Sequence, residues 1–220
     1  MGSVARKDYK VEPAGAEAAE GMGILGRRTF GNDPMQRRIF PKDREHLTPR
    51  DEFKAWRTRS LGKRLMKEGN VTFKVVDPSD STRIIGMAQW SRPYFFANPE
   101  NDKRAAGEDE TPACVDLEAR NQLMEALDGA RKETWRDDWN FWYLGTLAVD
   151  EDYRRQGIAT LLMEWGIQQA EKDGLPLYLE ATPMGALFYP SLGFEAIKVI
   201  PVMDGACDLT LMIKYPKKCE

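Results

Sequence analysis

The hydrophobic and polar positions change period several times along the chain, and each change marks an element. Tyr9 to Glu12 alternates as a short strand, which Pro13 closes. From Ala14 an Ala/Glu-rich run predicts a helix to about Phe30, with Gly31-Asn32-Asp33-Pro34 as its stop. Thr48 and Pro49 then read as an N-cap and a first-turn proline. Behind them Phe53, Trp56, Ser60, Leu61, Arg64 and Leu65 recur at three and four residues, which predicts a helix ending near Gly69-Asn70. Such a stripe is what core-facing helices show, so Phe53 and Trp56 are expected to pack on a sheet.

Val71 to Val76 and Arg83 to Trp90 read as two strands of a hairpin around the turn Asp77-Pro78-Ser79-Asp80. A charged, proline-marked tract follows, and the stretch from about 96 to 138 reads as an insertion. Within it Asp116 to Glu133 carries Leu123, Leu127 and Ala130 at helical spacing. Its place in the order suits a lid or acceptor-specificity element, or equally a surface ornament or dimer contact. Trp139 to Val149 is a near-continuous apolar run, the pattern of a strand buried on both faces. Gly157 to Lys172 reads as a helix closed by Asp173-Gly174, Pro176 to Ala181 as a strand, and Thr182 to Leu192 as a short helix. Phe194 to Val202 and Ala206 to Tyr215 form a last antiparallel pair. The order β-α-α-β-β-(insertion)-β-α-β-α-β-β predicts one mixed α/β domain over residues 1–220, with a central sheet of six or seven strands flanked by helices.

Composition narrows the chemistry. A chain of 220 residues with 42% hydrophobic and 30% charged side chains has material for a filled core and a water-facing surface. No apolar run reaches the roughly 18 residues of a membrane helix, and no basic-then-apolar leader is visible, so a cytoplasmic protein without a membrane partner is expected. A net charge of −3 gives no general attraction to nucleic acid. Cys114, Cys207 and Cys219 are odd in number and widely spaced, which suits a reducing compartment. His46 is the only histidine, in a charged loop: two-histidine zinc sites are excluded, and no metal is expected.

Two glycine motifs compete for a phosphate. Gly21 to Gly26 matches G-x-G-x-x-G, but it follows Ala-Glu-Ala-Ala-Glu, a helix former, and that motif needs a preceding buried strand. The stretch Phe141 to Thr160 has the required context: an apolar strand, an acidic turn, then Arg154-Arg155-Gln156-Gly157-Ile158-Ala159 opening a helix. Free N–H groups and the positive end of a helix dipole suit a phosphate or pyrophosphate there.

These residues resemble the GNAT superfamily of acyl-CoA-dependent N-acetyltransferases. Arg154 to Ala159 reads as the family's Gln/Arg-x-x-Gly-x-Gly/Ala signature, and Phe188-Tyr189-Pro190-Ser191-Leu192-Gly193-Phe194 as its aromatic-Tyr segment closed by Leu-Gly-Phe. The resemblance is close over Phe141 to Ile200, is strongest to the fungal branch, and gives the 96–138 insertion no counterpart in the minimal core. It implies acetyl-CoA as cosubstrate, with its pyrophosphate on the loop of Arg154, Arg155, Gln156, Gly157, Ile158, Ala159 and Thr160, and its pantetheine along Leu147, Ala148 and Val149. Leu147 N–H is the implied donor to the thioester carbonyl, and Tyr189 the implied acid for the departing thiolate.

Two positions depart from the family pattern. Thr182 stands where many members carry Asn, and its hydroxyl can bond pantetheine less fully than an amide. Strand alternation would put Tyr143, Gly145 and Leu147 on one face, with Tyr143 where some members carry a Glu base. The base is therefore open among Glu180, Asp150, Tyr143 or water. The implied reaction is direct acetyl transfer to a primary amine of a small molecule more than of a protein, by a monomer or homodimer. The alternative is a non-catalytic CoA-binding regulatory module of the same fold.

Overall fold

A computed structural model describes residues 8–98, 101, 111–136 and 138–217. Seven strands form one sheet in the order β1-β2-β3-β4-β5-β7-β6. They are β1 (Val11–Pro13), β2 (Asn70–Asp77), β3 (Asp80–Ser91), β4 (Trp142–Val149), β5 (Leu177–Ala181), β6 (Glu195–Val202) and β7 (Cys207–Lys214). Helices given in full by the described residues are α1 (Ala19–Phe30), α2 (Pro34–Ile39), α3 (Arg50–Leu65), α4 (Leu117–Trp135), α5 (Ile158–Asp173) and the single turn α6 (Pro183–Ala186). The expected order holds, with the short α2 added after Pro34.

Local chemistry explains the element ends. Asp33 caps α2 by accepting from Met35 N–H at 2.9 Å, and Asp116 caps α4 by accepting from Ala119 N–H at 3.0 Å. Thr48 is not the cap of α3. Pro49 holds that position, and the Thr48 hydroxyl instead accepts from Cys114 N–H at 3.2 Å, tying the start of α3 to the segment before α4. Gly21 to Gly26 lies inside α1, so it forms no strand-to-helix loop and no dinucleotide cradle. His46 is exposed on a 3-10 turn, and Cys114 and Cys207 are buried free thiols; Cys219 lies outside the described residues. No helix among the described residues is long and apolar enough to cross a membrane.

The sheet is covered on both faces. On one, α5 packs Ile158, Leu162, Met163 and Ala170 against Val75, Ile85, Trp90, Trp142 and Leu144. On the other, α1 lays Met22 and Leu25 on Met87 and Ala148, while α4 lays Ala119, Leu123 and Ala130 over Phe141, Tyr178 and the inner faces of β6 and β7. Helix α5 sits unusually near its strands. A Cβ on Gly166 would lie 2.4 Å from the fully buried Trp90 ring, so only glycine fits beneath that indole.

Every neighbouring strand pair is antiparallel except β4 and β5. Those two are parallel and paired only at Trp142–Leu177 and Tyr143–Tyr178, after which they part. On its other side β4 stays paired with β3 as far as Val149. In that ladder Trp90 faces Leu144 and Gln89 faces Thr146, so Gly145 is an extra, bulged residue.

Candidate active site

The bulge changes which side chains share a face. Trp142 and Leu144 point toward α5, and after the extra residue Leu147 and Val149 do so again. Tyr143 and Ala148 face the opposite helices. The expected common face of Tyr143, Gly145 and Leu147 is therefore wrong, because a bulge at Gly145 breaks the two-residue period between the first and last of them.

At the end of β4 the chain turns through Glu151–Tyr153 into the loop that opens α5. Arg155 and Gly157 have positive φ values of 61° and 84°. A Cβ on Gly157 would meet nothing within 4 Å, so the glycine serves backbone conformation and leaves open space beside the helix start. The first α-helical bond runs from Leu161 N–H to Gly157 C=O, at 3.0 Å, so the N–H groups of Ile158, Ala159 and Thr160 have no acceptor within the helix. The side chain of Ile158 is buried core, leaving only its backbone to the loop. Arg154 and Arg155 are exposed beside it. Gln156 is bound on both ends of its amide: its oxygen accepts from the Tyr9 hydroxyl and its nitrogen donates to Asp152 C=O at 3.4 Å.

Asp150 anchors this turn. Its carboxylate is buried and accepts from Arg28 at 3.2 Å, from Arg83 at 3.1 Å and from Asp152 N–H at 3.2 Å. Two guanidinium groups and a backbone N–H engage its oxygens, so it is a structural anchor of the turn.

Thr182 caps α6, its hydroxyl accepting from Gly185 N–H at 3.3 Å. Tyr189 follows in a 3-10 turn, with ring centroids 5.4 Å from Phe188 and 5.5 Å from Phe194. It belongs to the same apolar cluster as Leu144, Leu147 and Ala181, on the α5 face where β4 and β5 diverge. Burial raises its phenol above the usual tyrosine range, so it keeps its proton through neutral pH.

On the opposite face Tyr143 donates to Glu180 at 2.7 Å, and Arg131 approaches the same carboxylate at 3.5 Å while also pairing with Asp128. Arg131 and Glu180 are each 3% exposed. Burial raises Glu180 above the ordinary carboxylate range, opposed by Arg131 and the Tyr143 hydrogen bond. Burial, then the Glu180 charge, pushes the Tyr143 phenol well up. The Tyr178 phenol rises for the same two reasons, although its hydroxyl has no hydrogen-bond partner among the described residues.

Tyr143 and Arg131 open onto a cavity of about 440 Å³ between the sheet and α1, α3 and α4, with Gly145 and Thr146 of the bulge in its wall; Glu180 is not among the lining residues. The Tyr143 hydroxyl links this carboxylate to the cavity.

Residues 114–196 match the family model described as an acetyltransferase (GNAT) domain. That stretch is similar to a GNAT acetyltransferase domain over 83 of the chain's 220 residues. The matched stretch begins before α4, which the sequence pattern set inside an insertion, and runs to the start of β6. Over 84 residues the chain is 33% identical to "Probable acyltransferase SID5" of Ajellomyces capsulatus, a match covering 36% of this chain and 62% of that protein. The chain thus matches less than two thirds of that relative's length.

Among solved structures, that of histone acetyltransferase HPA2 and related acetyltransferase from Corynebacterium glutamicum aligns at TM-score 0.61 and 24% identity, over 97% of this chain and 99% of that one. Arylalkylamine N-acetyltransferase 2 of Aedes aegypti aligns at TM-score 0.63 and 17% identity, over 96% and 100%. Both likenesses speak for the fold: a mixed α/β domain with a mostly antiparallel seven-stranded sheet.

Of four arginines at the cavity, Arg57, Arg120 and Arg131 are absent from the sequence pattern above and Arg64 appears there only as a member of the α3 stripe, although the pattern held a signal. Arg57, Ser60, Leu61 and Arg64 share one face of α3, as Arg120, Leu123, Leu127 and Arg131 do of α4. Cations at core-facing positions are the anomaly that marks a cavity wall. The Phe53 and Trp56 stripe, expected to pack on the sheet, in part forms that wall: Trp56 is buried and lines the cavity.

Proposed function

We propose that the protein transfers the acetyl group of acetyl-CoA directly to the amine of a small acceptor. The observation that carries this reading is the parting of β4 and β5 after Tyr143. It leaves one edge of β4 without a strand partner between an anion-suited helix start at one end and the cavity at the other. The residues present fit the cosubstrate: the open space beside Gly157, the N–H groups of Ile158, Ala159 and Thr160 and the exposed Arg154 and Arg155 suit a pyrophosphate. The backbone of Leu147, Ala148 and Val149 suits the amide-bearing pantetheine arm, with Leu147 N–H polarising the thioester carbonyl. Thr182 can still donate its hydroxyl proton to that arm while capping α6.

The two faces of the sheet divide the proton work. From the cavity side the amine attacks the thioester carbon, and its proton passes to the Tyr143 oxygen as Tyr143 delivers its own to Glu180. From the α5 side Tyr189 protonates the leaving thiolate as the C–S bond breaks. No acyl-enzyme is formed, and juxtaposing two substrates supplies much of the rate. A cavity of this volume suits a small-molecule acceptor rather than a folded protein.

The test is release of CoA thiol from acetyl-CoA over a panel of amines and short peptides, alongside the shift in melting temperature with CoA. Amine-dependent thiol release is expected. Stabilisation by CoA with no release for any amine would favour a non-catalytic binding module, and absence of both would refute the reading.

A further inference from the structure

Among the described residues, the cavity wall is charged in one sense only. Arg57, Arg64 and Lys67 come from α3 and the turn after it, and Arg120 and Arg131 from α4; no Asp or Glu among the described residues lines the space. Composition does not explain this, because the chain as a whole carries a net charge of −3. Arg131 is satisfied by Asp128 and Glu180. Arg57, Arg64 and Arg120 have no carboxylate within ion-pair distance among the described residues. Arg57 is held instead over the rings of Phe40 and Phe53, at 5.2 and 5.7 Å.

Trp56 and Gln89 of the same wall carry donors that are closed off even from the cavity. The Trp56 indole N–H and the Gln89 side-chain nitrogen are buried without a partner among the described residues, on side chains that are 7% and 5% exposed. Buried donors without acceptors cost free energy, as do guanidinium groups held together without a counter-charge. Burial, with Arg27 and Arg64 nearby, pushes Arg57 down to about 10. Arg64 is exposed yet also lowered by burial, the combination of a side chain that faces a cavity and not bulk water.

We infer that the acceptor is an amine bearing a carboxylate or phosphate group, which Arg57, Arg64 and Arg120 receive while its amine faces Tyr143. This rests on the acetyl-transfer reading and names the acceptor class for the same cavity. A bidentate oxyanion matches what the wall lacks, since guanidinium forks only donate and the oxyanion only accepts. The same field disfavours polyamines, whose second ammonium would enter a cavity without a carboxylate among the described residues of its wall. It also lowers the pKa of the reacting ammonium, favouring the neutral nucleophile that attack requires.

The test compares acceptors that differ in the acidic group, using thiol release by the full chain: 4-aminobutyrate against butylamine and 1,4-diaminobutane, phenylalanine against phenethylamine, and 2-aminoethyl phosphate against ethylamine. Acid-bearing members are expected to have kcat/KM about 10- to 100-fold higher, the range for one or two charge-assisted hydrogen bonds. Whether the carboxylates or the phosphate lead identifies the anion. Arg57→Gln and Arg64→Gln should each shrink the within-pair ratio by about 10-fold or more while KM for acetyl-CoA holds. Equal or better turnover of the neutral or cationic members overturns the inference and leaves acetyl transfer standing. If no acceptor releases thiol, calorimetric titration of the acetyl-CoA-loaded protein with the same pairs decides: selective binding of the acids, lost in Arg64→Gln, supports the inference, and unselective or absent binding overturns it.

Discussion

Exchanging Gly166 for alanine adds one methyl group in the middle of α5, where solvent-exposed alanine would ordinarily stabilise a helix by up to about 1 kcal/mol. Here that methyl carbon would lie 2.4 Å from two atoms of the Trp90 ring and 2.6 Å from a third, about 1 Å inside the 3.4 Å at which ordinary contact begins. Trp90 cannot retreat: it is fully buried and packed on Trp165 at 6.4 Å between ring centroids. The helix must lift or the strand must bend, at the roughly 1–3 kcal/mol of an overpacked core. For a domain of this size that lowers the melting temperature by about 2–12 °C. Because the amino end of the same helix forms the loop proposed for pyrophosphate, a lift of this kind is also expected to raise KM for acetyl-CoA. Gly129→Ala is the matched control, the same change in α4 where nothing lies within 4 Å, and it should raise the melting temperature slightly. Calorimetric melts of the two variants beside the parent give the answer. If Gly166→Ala melts at or above the parent, the seating of α5 on Trp90 described above is wrong.

Tyr189→Phe keeps the ring packing against Phe188 and Phe194 and removes the proton, so kcat should fall about 10²- to 10⁴-fold with KM for acetyl-CoA little changed; unaltered turnover would remove Tyr189 from the mechanism. Gly157→Ala must adopt a φ of 84° with a side chain, at about 1–2 kcal/mol, so CoA should bind roughly 5- to 30-fold more weakly, as read by titration calorimetry. Glu180 has a folded pKa raised above its unfolded value, so its contribution to stability is full below the unfolded pKa and is lost as pH rises through the folded one. Urea melts of the parent and Glu180→Gln should therefore differ most in the parent's favour at acid pH and converge as pH rises. A gap that widens with pH would contradict the burial effect, and an unchanged pH profile of kcat/KM in Glu180→Gln would remove it as the final proton acceptor.

The element order, the strand, the loop and the helix start were legible in the chain because each is a local matter: periodicity, capping residues and a glycine at a positive φ are written within a few positions of where they act. The proposed roles of Tyr189 and of the Arg154 to Thr160 loop likewise rest on contiguous motifs. Three things were not legible. Thr48 looked like a cap and is instead spent on Cys114 N–H, a partner 66 positions away. Tyr143 and Leu147 looked like neighbours on one face until the pairing of β4 with β3 placed a bulge at Gly145. The cavity is built from α1, α3, α4 and β4, whose arginines are far apart in the chain and acquire a common meaning only when packing turns them toward one space. By itself the sequence determined the fold class and the anion-suited half of the site, since both rest on short-range patterns. Only the tertiary structure decided what the proposed acceptor half rests on: which face each strand residue takes, which carboxylate lies behind Tyr143, and that the charges of the described residues around the cavity are all positive. Those are properties of long-range pairing, and no local period records them.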